Sequence, residues 1–380
     1  MFPNFLELEW FNEHWEPYLS HILPLVVAPS LQSVHLGLEN ASHTRMVLSA
    51  LAPAYHSLRS IIITRCDSGL VQEFSTLLLK CVPHQLRFFI VDAPVSQTAF
   101  MKASQAQHLQ FFEVKTVQAE MLGPHHDTRQ CPKTMFPSLQ CLFIRGLCSG
   151  SILLWSLPRI NSTNLEGLLL ELENVTAARE ALHLKALRDL RPRGLHRTLT
   201  MLMIQCKADF SGLRVDQATI EHLLPLTQLT TLAISFVCGQ NQCGHQLSDE
   251  DLERLVKAMP KLDSLSLGRR PCSIPANNSI KSLMAIAKHS KYLKELSIHT
   301  NVEAITRSSV PRSSLEDRAL VGCPLRTITF GSCPIPNREQ GVQAFTSTLL
   351  RLFPGLHSVG SPDRDPQWDS VSKVVVASRR

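Results

Sequence analysis

Thiols and imidazoles are the side chains best suited to chemistry here, since the 380-residue chain carries 11 cysteines and 16 histidines. Two thiolates sharing a zinc ion need close, regular spacing, and no CxxC occurs anywhere. The closest pairs, Cys141 with Cys148 and Cys238 with Cys243, have the wrong spacing for a zinc knuckle. His125, His126, Asp127 and Cys131 could bind a metal, yet no second cluster completes that ligand set. Cys238, Cys243 and His245 form the best thiol and imidazole group, of a kind that a chain so rich in both contains by accident. Most cysteines follow strand-like runs, where a small apolar thiol packs well. There is no GxSxG, no Walker loop, no GxGxxG after a strand, no HExxH and no paired carboxylates in a setting that would raise one pKa. The expectation is a protein that is not an enzyme and needs neither cofactor nor metal.

The elements that would position any site are easier to read. Between Leu229 and Thr300 one unit is written more than twice. The run LxxLxL appears at Leu229, Leu232 and Ile234, at Leu262, Leu265 and Leu267, and at Leu293, Leu296 and Ile298, spaced 33 and then 31 residues apart. Each run has period two, as a buried parallel strand does, and the segments between switch to period 3.6. Ser248 with Asp251 resembles a capping box, and Leu252, Leu255, Val256 and Met259 then form one apolar stripe of a helix that Pro260 stops. Ser279 opens the next helix, with Ile280, Leu283, Met284 and Ala287 on its stripe. Neither strand nor helix could bury its apolar face alone, so neighbouring copies must cover each other.

Weaker copies fill the rest of the chain. Thirteen anchors, Phe5, Leu31, Leu58, Leu86, Leu109, Leu139, Leu165, Leu199, Leu229, Leu262, Leu293, Leu325 and Leu356, stand 23 to 34 residues apart. Good helical patterns occupy 68–80, 176–189 and 337–353, the last opened by Asn337. Residues 115–135 are poor in pattern, and GPHHDTRQCPK within them reads as a surface loop. Trp368, Val371, Val374 and Val375 lie beyond the last anchor and could close the stack. The expected organisation is one α/β solenoid over residues 1–380, with irregular repeats in 1–198, regular ones in 199–360 and a cap in 361–380.

Charge excludes little. The balance is +6, from 38 basic and 32 acidic residues, which by itself implies no polyanionic partner. The densest basic cluster, Arg179, Lys185, Arg188, Arg191, Arg193 and Arg197, fits a solvated helix and its exit loop. The first residues have neither the basic head nor the apolar core of a secretory signal, and no run approaches the roughly 18 apolar residues of a membrane helix. An intracellular protein of cytoplasm or nucleus is expected.

The units resemble leucine-rich repeats. The pattern LxxLxLxxN/CxL is nearly complete in LRTITFGSCPI, through Leu325, Ile328, Phe330, Cys333 and Ile335, and LRSIIITRC repeats it through Cys66. Elsewhere its ninth position has decayed, as at Arg270 and Val237. The succession from LTTLAIS through LSDEDLERLVKAMPKLDSLSLG to TLLRLFPGLHSV is similar to fungal F-box and leucine-rich-repeat proteins, well over residues 195–360 and loosely before them. That likeness implies a horseshoe-shaped solenoid with parallel strands on its concave face and helices on its convex face. It also implies the substrate-recognition part of a ubiquitin-ligase adaptor, in which an F-box docks on Skp1 of a cullin ligase. No F-box helices are read before Phe5, so Skp1 and cullin are expected partners only if an F-box lies upstream.

Between the anchor leucines, the residues expected to face the concave side are Ile62, Phe88, Ile90, Phe111, Glu113, Phe143, Arg145, Leu169, Met201 and Met203. Later repeats offer Ser264, Ser266, Ser297, Thr327 and Thr329 instead. Phenylalanine and methionine on an exposed sheet would make an apolar contact site for a protein partner. A one-residue slip of register would swap the faces and bury them. Two alternatives stay open: a stand-alone leucine-rich-repeat binder unrelated to ubiquitin ligase, and a nucleic-acid-binding repeat protein. The latter is disfavoured because the arginines cluster between repeats, so the expected partner is a protein bound by a monomer, with neither nucleic acid nor membrane.

Overall fold

In the computed structural model, the structure describes residues 6–10, 18–66, 69–118, 132, 134–145, 159–172, 195–210, 215–238, 247–268, 276–302, 322–331, 339–361 and 366–377. The chain divides into two compact units, Met1–Asn174 with Pro192–Thr198, and Val175–Arg191 with Leu199–Arg380.

In the first unit each LxxLxL run becomes a short strand: β1 Glu7–Trp10, β2 Ser33–Gly37, β3 Ser60–Thr64, β4 Phe88–Ser96, β5 Phe111–Gln118, β6 Cys141–Ile144 and β7 Gly167–Leu172. Each pairs in parallel with the next. The register aligns like with like. Val34, Ile61, Phe89, Phe112, Leu142 and Leu168 make one row, and Leu36, Ile63, Val91, Val114, Ile144 and Leu170 another. None of the twelve is more than 4% exposed, and the anchors Leu31 through Leu165 are as deeply buried. Phe5 lies outside the described residues. Before each strand one more bond ties the repeats, as where the N–H of Arg87 donates to the Arg59 carbonyl at 2.8 Å and that of Gln110 to Arg87 at 2.8 Å.

The chain returns between strands through α1 Leu19–Val26, α2 Ala41–Ala50, α3 Val71–Cys81 and α4 Gln97–Ala103. Asn40 caps α2 by accepting from the N–H groups of Ser42 and His43, and Ser96 caps α4 through Ala99. The third helix starts at Val71, three residues later than its pattern predicts, and buries Phe74, Leu77, Leu78 and Cys81. An aromatic cluster fills the space between sheet and helices: the rings of Phe89 and Phe112 stack at 5.8 Å, and Phe100 meets Phe112 at 5.8 Å and Phe136 at 5.6 Å edge to face.

The poor helical pattern that begins at residue 115 starts inside a strand: β5 runs to Gln118, where Val117 pairs with Val95 and is 1% exposed. Alternation simply persists for four more residues, past a register shift between Val91 and Pro94. Of GPHHDTRQCPK only Pro132 is described, and the helix expected at 176–189 also lies outside the described residues.

The second unit repeats the scheme with β8 Met201–Phe210, β9 Thr231–Cys238, β10 Ser264–Leu267, β11 Glu295–Ile298, β12 Thr327–Phe330 and β13 Ser358–Gly360, each parallel to the next. Its buried rows are Leu202, Leu232, Leu265, Leu296, Ile328 and Val359, then Ile204, Ile234, Leu267, Ile298 and Phe330. The helices are α5 Gln217–Leu223, α6 Asp249–Ala258, α7 Ile280–His289, α8 Glu339–Leu352 and α9 Pro366–Ala377. Ser248 and Asp251 form the capping box that the sequence spells at the start of α6. Helix α8 spans Glu339–Leu352 within the pattern read over 337–353, and Asn337 lies outside the described residues. Helix α9 packs against β13 and α8, where Trp368 stacks on Phe330 at 5.0 Å and meets Phe345 at 5.9 Å.

Candidate functional site

Strand geometry decides which side chains are available. Alternate residues point to opposite faces, so burying the leucine rows leaves the intervening residues on an open face. In the first unit, His35, Ile62, Ile90, Glu113, Phe143 and Leu169 lie side by side in register, and Ser33, Ser60, Phe88, Phe111, Cys141 and Gly167 form the adjacent row. Ile62, Phe88, Ile90, Phe111, Phe143 and Leu169 are all at least partly exposed, Phe88 at 36%. The rings of Phe111 and Phe143 meet edge to face at 5.1 Å. The six side chains form one apolar floor.

An ion pair crosses that floor. Arg145, just past β6, holds Glu113 at 2.6 Å. Glu113 is half-buried among apolar neighbours, and this burial raises its pKa, the Asp92 charge adding to the rise while Arg145 pulls the other way. The arginine side chain stays 55% exposed. Two further arginines, Arg59 and Arg87, stand exposed at the starts of β3 and β4, beside Ser60 and Phe88.

In the second unit Met201 and Met203 lie partly exposed on the open side of β8. Their rows continue through Thr231, Ser264, Glu295, Thr327 and Ser358, and through Ala233, Ser266, Ser297, Thr329 and Gly360. Beyond Met201, Met203 and Glu295 the face there is small and mostly hydroxylic.

All ten residues singled out in the sequence thus stand on the open side of their own unit. Sequence reasoning passed over Cys141, which shares a row with Phe111, and it passed over Arg59 and Arg87. A scan of the residue just before each strand run would have found the arginines.

Cys66, Cys81 and Cys323 are buried packing groups. Cys66, Cys81, Cys141 and Cys323 are free. Burial pushes Cys66 and Cys81 up to about 12 and Cys323 up to about 11, far from the thiolate a nucleophile or metal ligand needs. Among the described residues no three His, Cys, Asp or Glu side chains converge on a metal position. His125, His126, Asp127, Cys131, Cys148, Cys243 and His245 lie outside the described residues, as do Arg179 through Arg193 of the basic cluster; Cys238 closes β9 and Arg197 is exposed. Among the described residues no helix is long and apolar enough to cross a membrane.

The recurring parallel strand, the buried leucine ladders and the helices between them define the fold class: α/β, built of leucine-rich repeats. No protein-family model matches the chain. No curated protein matches it either. Among solved structures it is similar to a chain described as the crystal structure of the Rad7 and Elc1 complex in yeast, with 12% identity and a TM-score of 0.45, over 83% of this chain and 73% of that one.

Proposed function

We propose that the chain is a non-catalytic scaffold that binds a protein partner on the open sheet face of its first unit. One observation carries the reading: six apolar side chains, Ile62, Phe88, Ile90, Phe111, Phe143 and Leu169, lie in register across consecutive strands and remain partly exposed. Contiguous apolar surface of this kind marks a contact site, because water contact with it is unfavourable and a partner relieves it. Aromatic anchors at the centre of such a patch contribute most to affinity.

The resemblance of residues 195–360 to fungal F-box and leucine-rich-repeat proteins supports a finer reading, in which the bound protein is a substrate presented to a Skp1 and cullin ubiquitin ligase. Affinity capture from the native cell tests both levels, with the wild type beside a Phe88→Ser, Phe111→Ser, Phe143→Ser variant. The scaffold reading expects a partner that the wild type retains and the folded variant loses. Recovery of Skp1 and cullin with it carries the ligase reading; a partner recovered without them leaves a stand-alone binder. Equal recovery by wild type and folded variant sinks the face as the contact site.

A further inference from the structure

We infer that the open face of the first unit takes an acidic, partly apolar segment of its partner, whose carboxylates meet Arg59 and Arg87 while its apolar side chains settle on the floor beside them. This rests on the reading above, that a protein docks on this face. Arg59 and Arg87 occupy neighbouring rungs, joined by the bond from the Arg87 N–H to the Arg59 carbonyl at 2.8 Å. Their backbones are therefore about one strand spacing apart, roughly 4.8 Å. Both are exposed, and neither has an ion-pair partner among the described residues. The rungs on either side hold neutral Gln32 and Gln110.

Three other arginines of this unit are already engaged. Arg145 is held by Glu113 at 2.6 Å, Arg45 by Glu73 at 2.7 Å and Arg65 by Glu39 at 3.6 Å. Two exposed arginines on adjacent rungs, without a counter-charge among the described residues, concentrate positive charge, and a segment bearing carboxylates offsets it through forked hydrogen bonds. Phe88, next in the chain to Arg87, is the most exposed of the six floor residues, so the exposed arginines stand at the border of the apolar floor, just ahead of its strands. A nucleic-acid strand would also seek arginine. However, Phe111 and Phe143 meet edge to face, which gives bases no parallel platform.

The test uses the full chain and fluorescence anisotropy with three labelled peptides of equal length. One alternates Glu with Leu and Phe, one carries Gln for each Glu, and one carries Lys; oligouridylate is the fourth probe. The Glu peptide is expected to bind at least about tenfold tighter than the Gln peptide, with the Lys peptide weakest and the preference shrinking in salt. The paired Arg59→Gln, Arg87→Gln variant is expected to lose that preference while holding the Gln peptide as before, and the triple Phe→Ser variant to weaken both. No measurable binding of the Glu peptide, equal affinity for Glu and Gln peptides, or a preference that survives the paired variant overturns the inference of an acidic segment. Peptide binding indifferent to the triple variant, with its fold intact by circular dichroism, overturns the docking reading beneath it. Oligouridylate that displaces the Glu peptide and depends on the same two arginines overturns the inference in favour of nucleic acid.

Discussion

Glu113 sits between Ile90 and Phe143 in its row, so a carboxylate stands where its neighbours are apolar. Burial raises its pKa against the pull of Arg145. A raised carboxylate contributes stability that is complete below the ordinary value, about 4.3, and is lost as pH rises through the raised one. Urea midpoints across that window should therefore fall for the wild type, and a Glu113→Gln variant should show a flatter profile; identical profiles would mean that Arg145 offsets the burial completely. The thiols on either side of this sheet make a second prediction. Buried Cys66, Cys81 and Cys323 should resist iodoacetamide in the folded protein, while Cys141, half-buried on the open face, should be alkylated before them, and a docked partner should protect it. Mass-spectrometric mapping reads this directly, and Cys66 reacting as fast as Cys141 would contradict the burial of Cys66.

Between elements, Asp249 at the start of α6 makes a polar tie between two of the regular repeats. Its carboxylate accepts from the backbone N–H groups of Ser279 at 2.7 Å and Ser282 at 3.2 Å, and from both hydroxyls, so a residue of one repeat caps the helix of the next. Burial alone would raise its pKa; the hydrogen bonds from Ser282 and Ser279 outweigh that and hold it below the ordinary value. A depressed carboxylate stabilises above its unfolded pKa, and the contribution disappears as pH falls through the folded one. Asp249→Ala should cost about 1 to 2 kcal/mol at neutral pH, the range for a lost helix cap, and progressively less toward pH 3. A pH-independent loss would place the effect in packing instead. At the last helix, Trp368 is 2% exposed against Phe330 and Phe345, and Trp368→Ala should cost about 3 to 5 kcal/mol by chemical denaturation. A cost below about 1 kcal/mol would mean that the site collapses around the gap.

For the molecule as a whole, what was legible in the sequence is local information repeated many times. An LxxLxL run specifies its own buried face, because any other register would put leucines in water, and the open-face residues follow by parity. That is why Ile62, Phe88, Ile90, Phe111, Glu113, Phe143, Arg145, Leu169, Met201 and Met203 could be named from spacing. Helix starts with side-chain caps were equally readable, as at Ser248 and Ser279, whereas α3, whose cap Leu70 offers no side-chain acceptor, begins three residues after its pattern does.

By itself, then, the sequence determined the repeating strand and helix, the twelve anchors from Leu31 to Leu356 and the two faces of the sheet, since hydrophobic period is a property of neighbours along the chain. Tertiary structure decided the rest. The extension of β5 to Gln118 depends on Val95, a strand away; the capping of α7 by Asp249 spans 30 residues; and Glu113 finds Arg145 only when two strands pair. The same pairing sets Arg59 and Arg87 on adjacent rungs beside Phe88, and no period along the chain records that, because stacking alone brings those residues together.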